Sequence, residues 1–188
     1  MQALFLSFGI IFIAELGDKS QLMALAFATR YRPLPILIGI TAATAFVHLF
    51  SVLAGALLGA ALPTTAISVA AGFAFLIFAA WTLRGDRLDG GEAARAERAT
   101  RSPAIAAAVA FFLAELGDKT MLATVTLATT EDPLGTWIGS TLGMVAADAI
   151  AIIVGAQLGK RLPEKVVKIG AACSFVLFGI LLLAEGLR

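Results

Sequence analysis

Two acid pairs stand where charge is expensive. Glu15 and Asp18, and again Glu115 and Asp118, belong to two copies of the string Glu-Leu-Gly-Asp-Lys, at 15–19 and 115–119. Each copy interrupts an apolar stretch long enough to cross a bilayer. An ionisable side chain at that depth is costly and usually marks a functional site. Two acid pairs at matching places point to one shared site for a cation or a proton.

The surrounding residues narrow the chemistry. Acids three apart share a face if the helix is continuous, so a helical reading points both carboxylates of each motif the same way. Gly17 and Gly117 lie between them, and glycine permits a kink or a local opening that frees backbone carbonyls as ligands. Ser20 and Thr120 follow and can add hydroxyl ligands, and Gln21 lies one turn further on. Four carboxylates against the two ammoniums of Lys19 and Lys119 leave two negative charges, which one divalent cation or two protons would balance. Carboxylate, hydroxyl and carbonyl oxygens suit hard ions such as Ca²⁺, Mg²⁺ and Mn²⁺. Cys173 is the sole cysteine, which argues against a thiolate site for a soft metal. The expected metal ligands are therefore Glu15, Asp18, Ser20, Gln21, Glu115, Asp118 and Thr120. Lys19 and Lys119 are candidates for the ion path or a proton relay.

The elements that position these residues are apolar helices. Apolar residues make up 60% of the chain, charged residues 14%, and mean hydropathy is +0.94. A soluble domain carries about 45–50% apolar residues. A net charge of +1 gives no reason to invoke nucleic acid. Six apolar segments, at 3–29, 34–61, 65–83, 103–129, 134–159 and 166–185, each approach the length of a spanning helix. Pro33, Pro63, Pro133 and Pro163 stand at the breaks, where proline ends helices without disturbing their interiors. The first stretch has neither a basic leader nor a small-residue cleavage site, and reads as a retained helix.

An offset of 100 residues aligns the two halves without a gap. Phe12–Leu22 matches Phe112–Leu122, Ile38-Gly39 matches Ile138-Gly139, and Leu62-Pro63 matches Leu162-Pro163. Three crossings per half force the second half to enter the membrane from the opposite face. The expected fold is therefore all-α: six transmembrane helices built as two inverted three-helix repeats, 1–83 and 103–188, joined by a charged linker at 84–102. Arg30, Arg32, Arg84, Arg87, Arg95, Arg98, Arg101, Lys160, Arg161, Lys165 and Lys168 all fall on one side of this arrangement. The positive-inside rule makes that side cytoplasmic and puts both termini outside.

Two further polar residues occupy matching mid-segment places, His48 and Asp148. Asp148 is a candidate for the ion path, and His48, which titrates near neutrality, for a proton relay. A buried histidine is more often a packing residue. The glycines at 55 and 59, 155 and 159, and 135, 139 and 143 are spaced for close helix packing, and carry no chemistry in this reading.

Both motifs fit Glu-x-Gly-Asp-(Lys/Arg)-(Ser/Thr). In this, in its two three-helix repeats and in its charged central loop, nearly the whole chain resembles the Gdt-one-type cation exchanger family. The resemblance implies a Mn²⁺ and/or Ca²⁺ transporter coupled to protons, with the motif acids at the ion site. It implies no bound cofactor, only the transported cation, protons and the lipid bilayer as partners. A short chain of this kind resembles the bacterial members, manganese exporters of the inner membrane. Two rival readings exist. Asp18 and Asp118 superficially suit an intramembrane aspartyl protease, but each carries its own Glu and Lys, which a catalytic dyad does not need. The small side chains near Thr41–Thr44 and Ser140-Thr141 suit an exporter of a small organic cation or amino acid, but no aromatic cage accompanies them.

Overall fold

The computed structural model describes residues 1–28, 31–84, 100, 102–158 and 164–187. Within them the fold is all-helical. The helices are α1 (Gln2–Glu15), α2 (Lys19–Ala28), α3 (Pro33–Ala61), α4 (Thr64–Arg84), α5 (Pro103–Glu115), α6 (Lys119–Leu127), α7 (Pro133–Leu158) and α8 (Glu164–Gly186). Pro33, Pro103 and Pro133 each occupy the first helical position, where the missing N–H costs nothing. Asp132 caps α7, its Oδ2 accepting the Gly135 N–H at 2.7 Å. Residues 29–30, 85–99, 101, 159–163 and 188, which include most of the expected linker and Lys160 and Arg161, lie outside the described residues.

Polarity is turned inside out. Phe5, Ile38, Phe46, Phe50, Leu57, Phe73, Ile77, Ile153 and Leu181 are exposed, while Glu15, Asp18, His48, Glu115, Asp118, Lys119 and Asp148 are buried. In water that arrangement would leave apolar area unburied and charge desolvated. In a bilayer the apolar rim faces lipid, and the polar groups find their partners inside. Among the described residues, three helices are long and apolar enough to cross a membrane: Pro33–Ala61, Thr64–Arg84 and Pro133–Ile153. Gln2–Glu15, Pro103–Glu115 and Phe175–Ala184 are shorter apolar helices.

The halves interlock. The principal pairings are α1 with α7, α3 with α5, and α4 with α8. In the first two, the opening helix of one half lies on the third helix of the other. Glycine makes both approaches possible. A Cβ at Gly39 would collide with the Ala104 carbonyl oxygen, and one at Gly139 with that of Leu4. These contacts are themselves related by the 100-residue offset. Between α4 and α8, Phe75 packs on Phe175 and Phe178, and Phe78 on Phe175. Thr44 of α3 donates to the sulfur of Met144 in α7 at 3.2 Å. The packing role expected of the glycines holds at Gly135, Gly139 and Gly143, which meet α1, and at Gly55 and Gly59, which meet carbonyls of Val125 and Thr129. Gly39 packs in the same way without being among those expected, and Gly155 and Gly159 lie outside the residues whose packing is described.

Candidate functional site

The motif is a turn, not a stretch of helix. Leu16 has φ −60 and ψ 120, and Gly17 has φ 75. The Asp18 N–H donates to the Glu15 carbonyl at 3.0 Å. Leu116 (φ −64, ψ 114), Gly117 (φ 77) and the Asp118-to-Glu115 bond of 3.2 Å repeat the pattern. These are type II turns, whose third position needs positive φ and hence glycine. The expectation that Glu15 and Asp18 share a face of one helix is thus corrected: Glu15 ends α1, and Asp18 stands just before α2. The same holds for Glu115 and Asp118 at the end of α5 and the start of α6.

The breaks present what a cation site uses. Helices α2 and α6 begin at the aspartates, and α1 and α5 end at the glutamates. Asp118 sits at the N-cap of α6 but makes no side-chain capping bond. Its carboxylate turns instead to Lys19, whose Nζ lies 3.2 Å from Oδ1. Lys119 pairs in turn with Asp18. Each lysine therefore reaches the aspartate of the other motif, not its own. Both aspartates are buried, and so is Lys119. Thr120 donates to Glu115 Oε2 at 2.9 Å. Among the described residues, neither oxygen of Glu15, nor Oε1 of Glu115, nor Ser20 Oγ has a hydrogen-bond partner.

Electrostatics unites these groups in one cluster. Glu15 interacts with Glu115, Asp18, Asp148 and Lys119, and Glu115 interacts with Asp118, Asp18 and Asp148. The structure thus brings together Glu15, Asp18, Glu115, Asp118, Thr120 and both lysines around the two facing breaks, with Ser20 buried at the start of α2. Among the described residues, no three His, Cys, Asp or Glu side chains close around a common point as a finished metal cage.

The remaining candidates separate. Asp148 of α7 is fully buried, acts on Asp18, and has neither carboxylate oxygen hydrogen-bonded among the described residues. It adds a fifth carboxylate to the cluster. His48 is equally buried, and neither ring nitrogen is hydrogen-bonded among the described residues. Gln21, expected as a neutral ligand, has both ends of its amide engaged. Its Oε1 accepts the Gly17 N–H at 2.7 Å, and its Nε2 donates to the Ala147 carbonyl at 2.8 Å. It braces the first break against α7. In the second break the Met121 sulfur takes the Gly117 N–H, at 3.2 Å.

One polar feature escaped the sequence reading. Thr136, Ser140 and Asp148 are buried along one face of α7, four or eight residues apart, with Met144 between them. The matching face of α3 carries Ile36, Ile40, Thr44 and His48. The four-residue spacing of Thr136 and Ser140 leading to Asp148 was the available signal. One half thus carries buried hydroxyls on this face, where the other packs isoleucines.

Gly117 offers a clean test of the turn. A Cβ there would meet nothing within 4 Å, so Gly117→Ala adds backbone strain without a clash. We expect a loss of about 1–2 kcal/mol from forcing alanine into the left-handed region. A thermal melt of the detergent-solubilised protein checks it, and an unchanged or raised melting temperature would mean that the turn is not required.

Two interrupted helices whose breaks are joined by buried ion pairs, in an all-helical body with an apolar exterior, define a membrane transporter for a small ion. Comparison with known proteins makes the class specific. The family described as "Divalent cation/proton antiporter GDT1" matches residues 3–90 and 103–188. The chain belongs to the GDT1 family, and is a divalent cation transporter and not an enzyme. It is 34% identical to a protein of Vibrio cholerae named "Putative manganese exporter", over 96% of this chain and 90% of that one. It is 30% identical to GDT1-like protein sll0615 of Synechocystis, over 91% of each chain. A chloroplastic rice relative, GDT1-like protein 2, is 32% identical over 93% of this chain and 58% of its own length. No solved structure matches the chain.

Proposed function

We propose that the protein exports Mn²⁺ from a bacterial cell across the inner membrane in exchange for protons, with Ca²⁺ accepted by the same oxygen ligands. The observation that carries this reading is the pair of buried helix breaks, which join two glutamates, two aspartates and two lysines in one electrostatic cluster. Glu15, Asp18, Glu115 and Asp118 bind the ion, and Ser20 and Thr120 supply neutral oxygens. Gln21 holds the first break in shape. Protons discharge the ion by neutralising the same carboxylates, so the site carries one cargo or the other. Asp148, with Ser140 and Thr136 beyond it on α7, forms the approach from one face. His48 occupies the corresponding place on α3.

The architecture in this reading is six spans in two inverted repeats, 1–83 and 103–188, with the 84–102 linker cytoplasmic and both termini outside. The 100-residue offset between the Gly39–Ala104 and Gly139–Leu4 contacts supports it. So does the exchange of opening helices between halves. Alternating access then comes from one repeat rocking against the other around the breaks. In a cell that pumps protons outward, protons returning inward down their gradient drive metal out.

The test is transport by the purified chain. Proteoliposomes holding a pH-sensitive dye should show proton movement when a Mn²⁺ gradient is imposed, opposite in direction to the metal and absent from empty liposomes. Metal flux without proton movement would remove the coupling.

A further inference from the structure

We propose that Lys19 and Lys119 are resident counter-cations of the site. Their ammonium groups hold the aspartates while no cargo is bound, and the arriving divalent cation displaces them. The proposal rests on the cation-transport reading above and says how that site balances its charge between cargoes.

Four observations point this way. Each lysine pairs with the aspartate of the opposite motif, so the ammoniums lie between the two breaks, where the ion would sit. Asp118 forgoes the capping bond that its N-cap position offers and directs its carboxylate to Lys19 instead. The acids do not converge on a common point among the described residues, which is the geometry expected when ammoniums occupy the shared space. Both Glu15 oxygens lack a hydrogen-bond partner among the described residues, so an entering ion has a carboxylate to meet first. An ammonium and a metal ion compete for the same carboxylate oxygens, and a divalent ion brings twice the charge. The lysines stay charged throughout. They give up their aspartates and move aside.

The two sides are unequal. The Lys19 side chain is 20% exposed and the Lys119 side chain 4%. Lys19 can extend its ammonium toward water on its flexible stem. Lys119 must stay inside the protein, where Asp118 and then Glu15 are the next carboxylates to act on it. Lys119 is therefore the stronger competitor. Because both pairs bridge the two motifs, displacing them also severs the ionic links between those motifs.

Mn²⁺ binding to the detergent-solubilised full chain, read from the electron paramagnetic resonance signal of free Mn²⁺, tests the proposal. Lys119→Met should tighten Mn²⁺ binding about tenfold or more, since a buried positive charge next to the ion has gone. Lys19→Met should tighten it less. A lysine that merely pins helices together would lower the melting temperature without tightening binding, and one that orients its aspartate for the metal would weaken binding on removal. Unchanged or weaker binding in a folded Lys119→Met protein overturns the proposal. Should that variant not fold, Lys19→Met carries the same test, with unchanged or weaker binding again decisive. Wild-type protein that binds neither Mn²⁺ nor Ca²⁺, or binding that survives Glu15→Gln combined with Glu115→Gln, removes the transport reading and this proposal together. Glutamate-dependent binding in the wild type, with no tightening in the lysine variants, removes this proposal alone.

Discussion

Replacing Glu15 or Glu115 with glutamine should abolish metal-dependent proton flux in proteoliposomes while the protein folds as before. The ion pairs explain why the glutamates are the sharper test. Asp18 and Asp118 each face an ammonium, so Asp18→Asn strands Lys119 in the interior. A buried charge that loses its partner costs about 3–5 kcal/mol, and the fold would suffer along with transport. Glu15 has no hydrogen-bond partner among the described residues, and Glu115 accepts only the Thr120 hydroxyl there. Glutamine keeps their shape and hydrogen-bonding capacity but removes the charge that both the metal and the proton need. Losing one carboxylate from a buried ion site should slow flux by roughly a hundredfold or more, at about 1.4 kcal/mol for each factor of ten. Wild-type flux in either variant would take that glutamate out of the mechanism.

The second large effect concerns the scaffold. Gly39→Leu and Gly139→Leu should each prevent recovery of monodisperse protein. A side chain at Gly39 would collide with the backbone of Ala104, and one at Gly139 with the backbone of Leu4. Backbone atoms cannot rotate aside, so α3 must part from α5, or α7 from α1. Even alanine should cost about 1–3 kcal/mol, as overpacking commonly does. Gly9→Ala is the control, because nothing lies within 4 Å of its Cβ position. Size-exclusion chromatography with a thermal melt distinguishes the cases. If Gly139→Leu behaves like Gly9→Ala, the interlocked helices are not as described. Equal sensitivity at 39 and 139 would add weight to the proposed two-fold relation between the halves.

Much of this was legible in the residues. The prolines mark helix starts because their ring suits the first turn and suits nothing later in a helix. Ile36, Ile40, Phe75 and Phe175 read as generic apolar residues and are buried core. The motif shows where such legibility stops. Glu-x-x-Asp satisfies a helical face and a type II turn equally well, and the apolar flanks favour helix. Only the pairing of Leu and Gly at the two central positions favours the turn, and that signal is local and weak. The lysines were harder still. Lys19 adjoins Asp18 in sequence, but adjacent residues on a turn or helix point apart, so its partner had to come from elsewhere in the fold. Gln21 looked like a ligand because its chemistry permits it. Its actual partners, the Gly17 N–H and the Ala147 carbonyl, follow from the break and from the packing of α2 on α7. The hydroxyl face of α7 was hidden because threonine and serine are ordinary in apolar helices, and burial alone distinguishes Thr136 and Ser140 from their neighbours.

The central claim is that both motifs serve one ion. Crystals soaked in Mn²⁺ and measured at the manganese absorption edge test it most directly. We expect a single anomalous peak between the two breaks, within coordination distance of carboxylate oxygens from both Glu15 or Asp18 and Glu115 or Asp118, and with the Lys119 ammonium moved off Asp18. A peak bound by one motif alone, or no peak between them at saturating Mn²⁺, would contradict it.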